Sequence, residues 1–106
     1  MFEQWPADFE PPLRRVVDPP TPVTVDLAAA IPTHPANLSA NKLPLKVRAG
    51  GLDVTGNAPG MLHAWVRTRD GAWIALVSFV IETANRRGKL EIRQWCSQRA
   101  ISPRET

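Results

Sequence analysis

The most pronounced pattern along the chain is a nearly continuous apolar run at residues 72–81, rich in β-branched and aromatic side chains. Both alternating sets of side chains in this run are mainly apolar, which is typical of a strand covered on both faces. Turn-forming residues bound the run, with Asp70-Gly71 before it and residues 85–88 after it. The pattern predicts a central β-strand with a hairpin at each end, the first built on a primed turn because glycine tolerates positive φ.

The two flanking segments alternate in the manner of half-buried strands, with apolar side chains on one face only. Residues 61–69 place Leu62, Ala64 and Val66 on one face, and His63, Trp65, Arg67 and Arg69 on the other. Residues 89–95 place Leu90 and Ile92 inward, and Lys89, Glu91, Arg93 and Trp95 outward. Together with the central strand they predict an antiparallel meander of three strands.

Shorter elements are predicted on either side of this meander. Asp26 is a suitable N-cap for one helical turn from Leu27, which Pro32 ends. Residues 43–48 alternate apolar and polar side chains, and this predicts a further half-buried strand. The tail at residues 99–103 suits a 3₁₀ turn or a short closing strand.

Proline divides the chain unevenly, because nine of its eleven prolines lie in the first 44 residues. Proline lacks the backbone donor that ladders and helices require, so this region is expected to be extended or polyproline-like. We therefore predict a proline-rich N-terminal arm at residues 1–41 with one short helical turn. Residues 42–106 are predicted to form a small basic β-barrel domain.

The predicted fold class is mainly β, an antiparallel meander curled into a small barrel behind an extended arm. Three segments stand in a characteristic order: Asp70-Gly71-Ala72-Trp73-Ile74-Ala75-Leu76-Val77 with Ile81, then Gly88-Lys89-Leu90-Glu91-Ile92, then Ile101-Ser102-Pro103. Their order resembles that of Tudor-type and related SH3-like barrels, which implies a small SH3-like barrel. The chain has no tyrosine, so a Tudor-type aromatic cage for methylated side chains is not expected.

Charged residues are also distributed unevenly between the N-terminal part and the rest of the chain. Residues 1–44 contain three Lys or Arg and five Asp or Glu, whereas residues 45–106 contain ten and five. A basic domain behind a weakly acidic arm is compatible with an anionic partner. Arginine beside exposed tryptophan on a sheet suits nucleic acid, since cations neutralise phosphates and indoles stack on bases.

The first functional hypothesis is therefore a binding module for DNA or RNA. Its predicted contact residues are Arg67, Arg69, Arg86, Arg87, Lys89 and Arg93 for phosphates, with Trp65 and Trp95 for stacking. The alternative is a solvated face that only keeps the protein soluble.

A second hypothesis is a protein-interaction adaptor, because an extended arm with apolar side chains can dock on a larger protein or on another copy of the chain. Its predicted contact residues are Trp5, Phe9 and Leu13, or else the barrel groove near Trp65 and Trp95.

Enzyme chemistry is not expected. Cys96 could act as a nucleophile only with His34 or His63 within hydrogen-bond reach, and nothing in their spacing indicates this. A small buried hydrophobe is the simpler interpretation of Cys96. The scattered His, Cys and carboxylate residues match no metal-ligand spacing, and no glycine-rich segment has the residues of a phosphate loop. We therefore expect no metal and no cofactor.

The cellular setting is inferred from two features of the sequence. A single cysteine permits no intramolecular disulfide, which fits a reducing compartment. The N-terminus lacks the basic and apolar regions of a signal peptide, and the apolar run at residues 72–81 is far shorter than a membrane span. A cytoplasmic location without membrane contact is expected.

Overall fold

A computed structural model describes residues 13–33 and 43–104. Within these residues, five strands, two short α-helices and one 3₁₀ turn follow one another. In order they are β1 (Arg14–Asp26), α1 (Leu27–Ala30), α2 (Leu45–Gly50), β2 (Asn57–Arg67), β3 (Trp73–Glu82), β4 (Lys89–Ser97), the 3₁₀ turn (Gln98–Ala100) and β5 (Ile101–Pro103).

The five strands form one antiparallel sheet in the order β4-β3-β2-β1-β5, curled into a half-barrel. The mainly β fold class predicted from the sequence is confirmed. The half-barrel is compatible with an SH3-like fold. No helix in residues 13–33 or 43–104 is long and apolar enough to cross a membrane.

The two predicted hairpins are present. Thr68 and Ala72 close the first, since the Thr68 amide donates to the Ala72 carbonyl at 2.8 Å and the Gly71 amide donates to the Thr68 carbonyl at 3.0 Å. Gly71 has φ 89°, but Asp70 is not among the residues with positive φ. A type I′ turn needs positive φ at both central residues, so the connection is instead a three-residue loop ended by a left-handed glycine.

Prolines do not keep β1 out of the sheet. Residues 14–26 belong to the predicted arm, yet β1 lies between β2 and β5 and pairs with both. Its register with β2 shifts between Val16 and Thr21, and the cis peptide Asp18-Pro19 lies inside this irregular segment. Because Pro19 and Pro20 stand where the ladder is interrupted, their missing N–H groups cost no inter-strand bonds.

The main core lies on the concave side of the sheet, here called the inner face. Its most deeply buried large side chains are Val25, Val77 and Ile81. The predicted helical turn is present as α1, and the Asp26 side chain accepts a hydrogen bond from the Ala29 amide. Gln94 on β4 donates from Nε2 to the Ala30 carbonyl at 2.9 Å, which fixes α1 against the inner face.

The strand predicted at residues 43–48 is wrong, because this segment forms α2 and buries none of its residues. The Pro44 carbonyl accepts hydrogen bonds from the Val47 and Arg48 amides and begins the helix. Leucine, lysine, arginine and alanine are good helix formers, and a short alternation cannot outweigh them without a neighbouring strand. The end of α2 is bonded to the second hairpin, as the Asn85 amide donates to the Ala49 carbonyl at 2.8 Å.

A bulge in β2 changes which face its side chains occupy. Leu62 is opposite Val77 and Ala64 is opposite Leu76, so one residue of β2, His63, has no partner position on β3. Leu62 therefore faces inward with Val77, whereas Ala64 faces the other way with Leu76. This second side, here called the outer face, carries a separate buried set formed by Ala64, Val66 and Leu76.

Candidate nucleic-acid interface

Two tryptophans meet on the inner face at the end of the sheet nearest the first hairpin. Trp65 is opposite Ala75, and Trp73 is opposite Arg67, in the antiparallel pair of β2 and β3. The two indoles lie edge to face, with ring centroids 6.5 Å apart and an interplanar angle of 85°. This is a favourable aromatic arrangement that adds about 0.5–1.5 kcal/mol to the burial of the rings.

Arg67 brings a fixed positive charge to this pair. Its guanidinium carbon lies 5.4 Å from the centroid of the Trp73 ring, within cation–π distance. The Arg67 Nε donates to the Gly71 carbonyl at 3.3 Å. The side chain is therefore held between the indole and the hairpin.

A cavity of about 180 Å³ opens beside the two indoles. Its lining residues are Arg15, Trp65, Trp73 and Gln98, and together with Arg67 they are called the Trp65–Trp73 pocket below. Arg15 is an exposed residue of β1 opposite Trp65, and Gln98 begins the 3₁₀ turn. Among the residues that the structure describes, the lining contains no carboxylate, so these side chains combine aromatic surface, positive charge and one amide. Such a set can stack on a planar ring and neutralise an anion.

Trp65 and Arg67 are predicted contact residues, whereas Arg15, Trp73 and Gln98 were not predicted from the sequence. The position of Trp73 could have been found from the hairpin, because a turn closed by Thr68 and Ala72 puts Trp73 opposite Arg67. Arg15 gave no such signal, since it precedes a proline-rich stretch that suggested no strand.

The bulge also corrects the predicted face of β2. Trp65 and Arg67 share the inner face, but His63 does not join them. Its Nε2 lies 2.8 Å from the Ser78 Oγ on the outer face. Burial, and secondly the Arg93 guanidinium, lower the pKa of His63 below its ordinary value.

The other predicted contact residues lie elsewhere. Arg69 is exposed in the first hairpin, and Arg87 is exposed in the second. Arg86 forms an ion pair with Glu82 at 2.7 Å, and this hydrogen-bonded carboxylate raises the pKa of Arg86. The predicted phosphate contacts therefore do not form one continuous patch.

Lys89, Arg93 and Trp95 share the outer face of β4, as predicted, since they pair with Glu82, Ser78 and Leu76. The exposed fraction of Trp95 is 39 %. These three residues lie on the side of the sheet opposite the Trp65–Trp73 pocket. A single strand of nucleic acid in the pocket would not contact them directly.

Leu13, the one predicted arm contact inside the described ranges, is half-buried. Its carbonyl accepts a hydrogen bond from the Arg67 amide at 2.8 Å, so the chain enters β1 beside the pocket. Trp5 and Phe9 lie outside the described residues, and so does His34. Cys96 is buried in the core, and burial raises the pKa of its thiol.

Comparison with known proteins identifies no relative. No family model, no curated protein and no solved structure matches the chain. Within residues 13–33 and 43–104, no three His, Cys, Asp or Glu side chains are grouped so as to hold a metal ion. The chemistry of the Trp65–Trp73 pocket is therefore the basis for a proposed function.

Proposed function

We propose that this protein is an SH3-like barrel that binds single-stranded DNA or RNA at the Trp65–Trp73 pocket. The observation that supports this proposal is a cavity lined by two indoles and Arg15, with Arg67 over the Trp73 ring and no carboxylate among the described lining residues. A base would stack on an indole, which contributes about 1–3 kcal/mol per base in proteins of this kind. Arg15 and Arg67 would neutralise the flanking phosphates, and the Gln98 amide would contact a base edge.

Phosphate contacts determine how the affinity depends on salt concentration. Each neutralised phosphate releases a counterion, so affinity falls steeply as the salt concentration rises. Single strands are favoured over duplexes, because bases buried in a duplex cannot reach an indole.

The test is a fluorescence-anisotropy titration of labelled oligothymidine, its RNA counterpart and a duplex, at low and moderate salt. We expect Arg15→Glu to weaken single-strand binding about tenfold or more at low salt, as the loss of one phosphate contact and a new repulsion require. Arg48→Glu makes the same charge change on exposed α2, away from the pocket, and is the matched control. Equal losses in both variants, or no binding at low salt, would contradict the proposal.

A second candidate is docking of a proline-rich peptide segment in the same pocket. The supporting observation is the Leu13–Arg67 hydrogen bond, which places Leu13, the residue that follows Pro11 and Pro12, beside the pocket. Proline packs well on tryptophan in grooves of this kind, and such apolar contacts depend little on salt. Salt-insensitive binding of a peptide spanning residues 1–13, combined with no oligonucleotide binding, would favour this adaptor function.

A further inference from the structure

The strand β4 forms one edge of the sheet, and among residues 13–33 and 43–104 no further strand pairs with it on the side away from β3. From Lys89 to Ser97 it pairs with β3 in one unbroken register of nine residues. The strand contains no proline, and no bulge interrupts it. It therefore presents a long, regular row of backbone donors and acceptors.

The opposite edge of the sheet is different. There β5 has only three residues, Ile101–Pro103, and its last residue lacks an N–H group. Short strands and proline are the usual means of preventing association at a sheet edge. The contrast indicates that β5 is protected against pairing by its length and its proline, whereas β4 carries only charged side chains as protection.

The charges on β4 are arranged so that the strand complements itself. Lys89, Glu91 and Arg93 alternate in sign along the outer face. In an antiparallel pair of identical strands, a two-fold axis through Ile92 sets Glu91 of each copy opposite Arg93 of the other. Opposite charges in directly facing positions stabilise a sheet, and like charges destabilise it.

We propose that two copies of this chain associate by antiparallel pairing of β4 with β4, with the two-fold axis at Ile92. The pairing extends the sheet from five strands to ten across the interface. It also covers apolar surface on the inner face, where the exposed fraction of Leu90 is 48 %. The two Ile92 side chains meet at the axis, and Leu90 of each copy lies opposite Gln94 of the other.

Neighbouring registers are less favourable. An axis at Glu91 or at Arg93 sets that charged residue opposite its own copy. An axis at Leu90 pairs only three residues of β4, and an axis at Gln94 forms no ion pair. The axis at Ile92 pairs seven residues, 89–95, and forms two ion pairs.

The interface is separate from the Trp65–Trp73 pocket. Glu91 and Arg93 point to the outer face, whereas the pocket opens on the inner face at the end of β2 and β3. Dimer formation therefore does not depend on whether the pocket binds nucleic acid or peptide.

The test measures the mass of the full chain by sedimentation velocity across a concentration series. The wild-type protein is expected to form a dimer. Glu91→Arg and Arg93→Glu each place two like-charge pairs in the interface, so each variant is expected to dimerise at least about tenfold more weakly. Arg48→Glu, on exposed α2, is the control and is expected to dimerise as the wild type does.

Mixing distinguishes a specific interface from damaged folding. Glu91→Arg carries arginine at both positions and Arg93→Glu carries glutamate at both, so an equimolar mixture restores both ion pairs. We expect the mixture to form a heterodimer at concentrations where each variant alone is mainly monomeric. A wild-type protein that stays monomeric up to its solubility limit would overturn the proposal, and so would a mixture that stays monomeric.

Discussion

Among single residues, His63 is the one whose environment has the clearest effect on protonation. It occupies the bulge of β2 and its Nε2 lies 2.8 Å from the Ser78 Oγ. Partial burial and the nearby Arg93 charge both disfavour the imidazolium form, so they lower the pKa of His63. The folded protein therefore binds a proton at this position less readily than the unfolded chain does.

This difference makes stability depend on pH. As pH falls through the ordinary histidine pKa of about 6.5, the unfolded chain takes up the proton first, so the free energy of unfolding decreases. Urea titrations at a series of pH values should show this decrease in the wild type and a smaller one in His63→Gln. The other histidine, His34, is present in both proteins, so its contribution cancels. Identical pH slopes for the two proteins would contradict the assignment.

The same principle separates this effect from that of the carboxylates. Hydrogen bonds from the Thr55 and Thr68 hydroxyls lower the pKa values of Asp53 and Asp70 respectively. Their stabilising effect is present at neutral pH and is lost only as pH falls well below the histidine range. The slope assigned to His63 therefore lies in a different pH window.

Among the elements, the hairpin between β3 and β4 contains one residue, Arg86, whose backbone and side chain have opposing effects on stability. Arg86 has φ 63°, a left-handed backbone conformation that residues other than glycine and asparagine rarely adopt. Its guanidinium also forms an exposed ion pair with Glu82. Exposed ion pairs contribute little, so the backbone strain is the larger effect.

We therefore expect Arg86→Gly to raise the melting temperature relative to Arg86→Ala. Both substitutions remove the ion pair, but only glycine removes the strain, so the difference between them isolates the backbone effect. Thermal unfolding followed by circular dichroism measures it. An alanine variant as stable as the glycine variant would show that the left-handed conformation costs nothing at this position.

The elements also show which strands and helices can be predicted from sequence patterns alone. β3 and β4 were predicted because β-branched residues and clear turn signals agree on the same segments. β1 was predicted only as part of an extended arm. A proline excludes a ladder hydrogen bond only where one is needed, and Pro19 and Pro20 lie where none is made. The segment of α2 was predicted as a strand because its apolar and polar residues alternate. An alternation of only five or six residues does not show whether a neighbouring strand is present to pair with it.

The candidate site was predicted only in part, because the positions of some of its residues also depend on how the strands pair. Trp65 and Arg67 were selected for their residue types; Trp65 lines the cavity, and Arg67 lies over the Trp73 ring beside it. The predicted grouping with His63 was wrong, because strict alternation assumes a strand without a bulge. Arg15 could not be found, since its position depends on pairing between segments about 50 residues apart.

At the scale of the whole molecule, β1 is the element on which the sheet depends. It joins β5 to β2, and its Val23 and Val25 are buried in the core. Burial of two valines contributes about 3–6 kcal/mol, a large part of the 5–15 kcal/mol that keeps a small domain folded. A fragment without β1 also leaves the long edge of β2 unpaired.

We therefore expect residues 42–106 alone not to fold cooperatively, whereas residues 13–106 should fold. Far-ultraviolet circular dichroism and the dispersion of amide proton resonances distinguish the two states. A well-dispersed spectrum for the shorter fragment would show that β2, β3 and β4 form an independent domain.

The bulge at His63 has a consequence for how β2 tolerates changes in length. Since this residue has no position opposite it on β3, a chain that lacked it could still place Leu62 opposite Val77 and Trp65 opposite Ala75. An in-frame loss of this codon would thus leave the indole of Trp65 in its pocket and remove only the Ser78 hydrogen bond. Related chains that differ by one residue here can share the same arrangement of tryptophans, and an alignment of them should place its gap at this position.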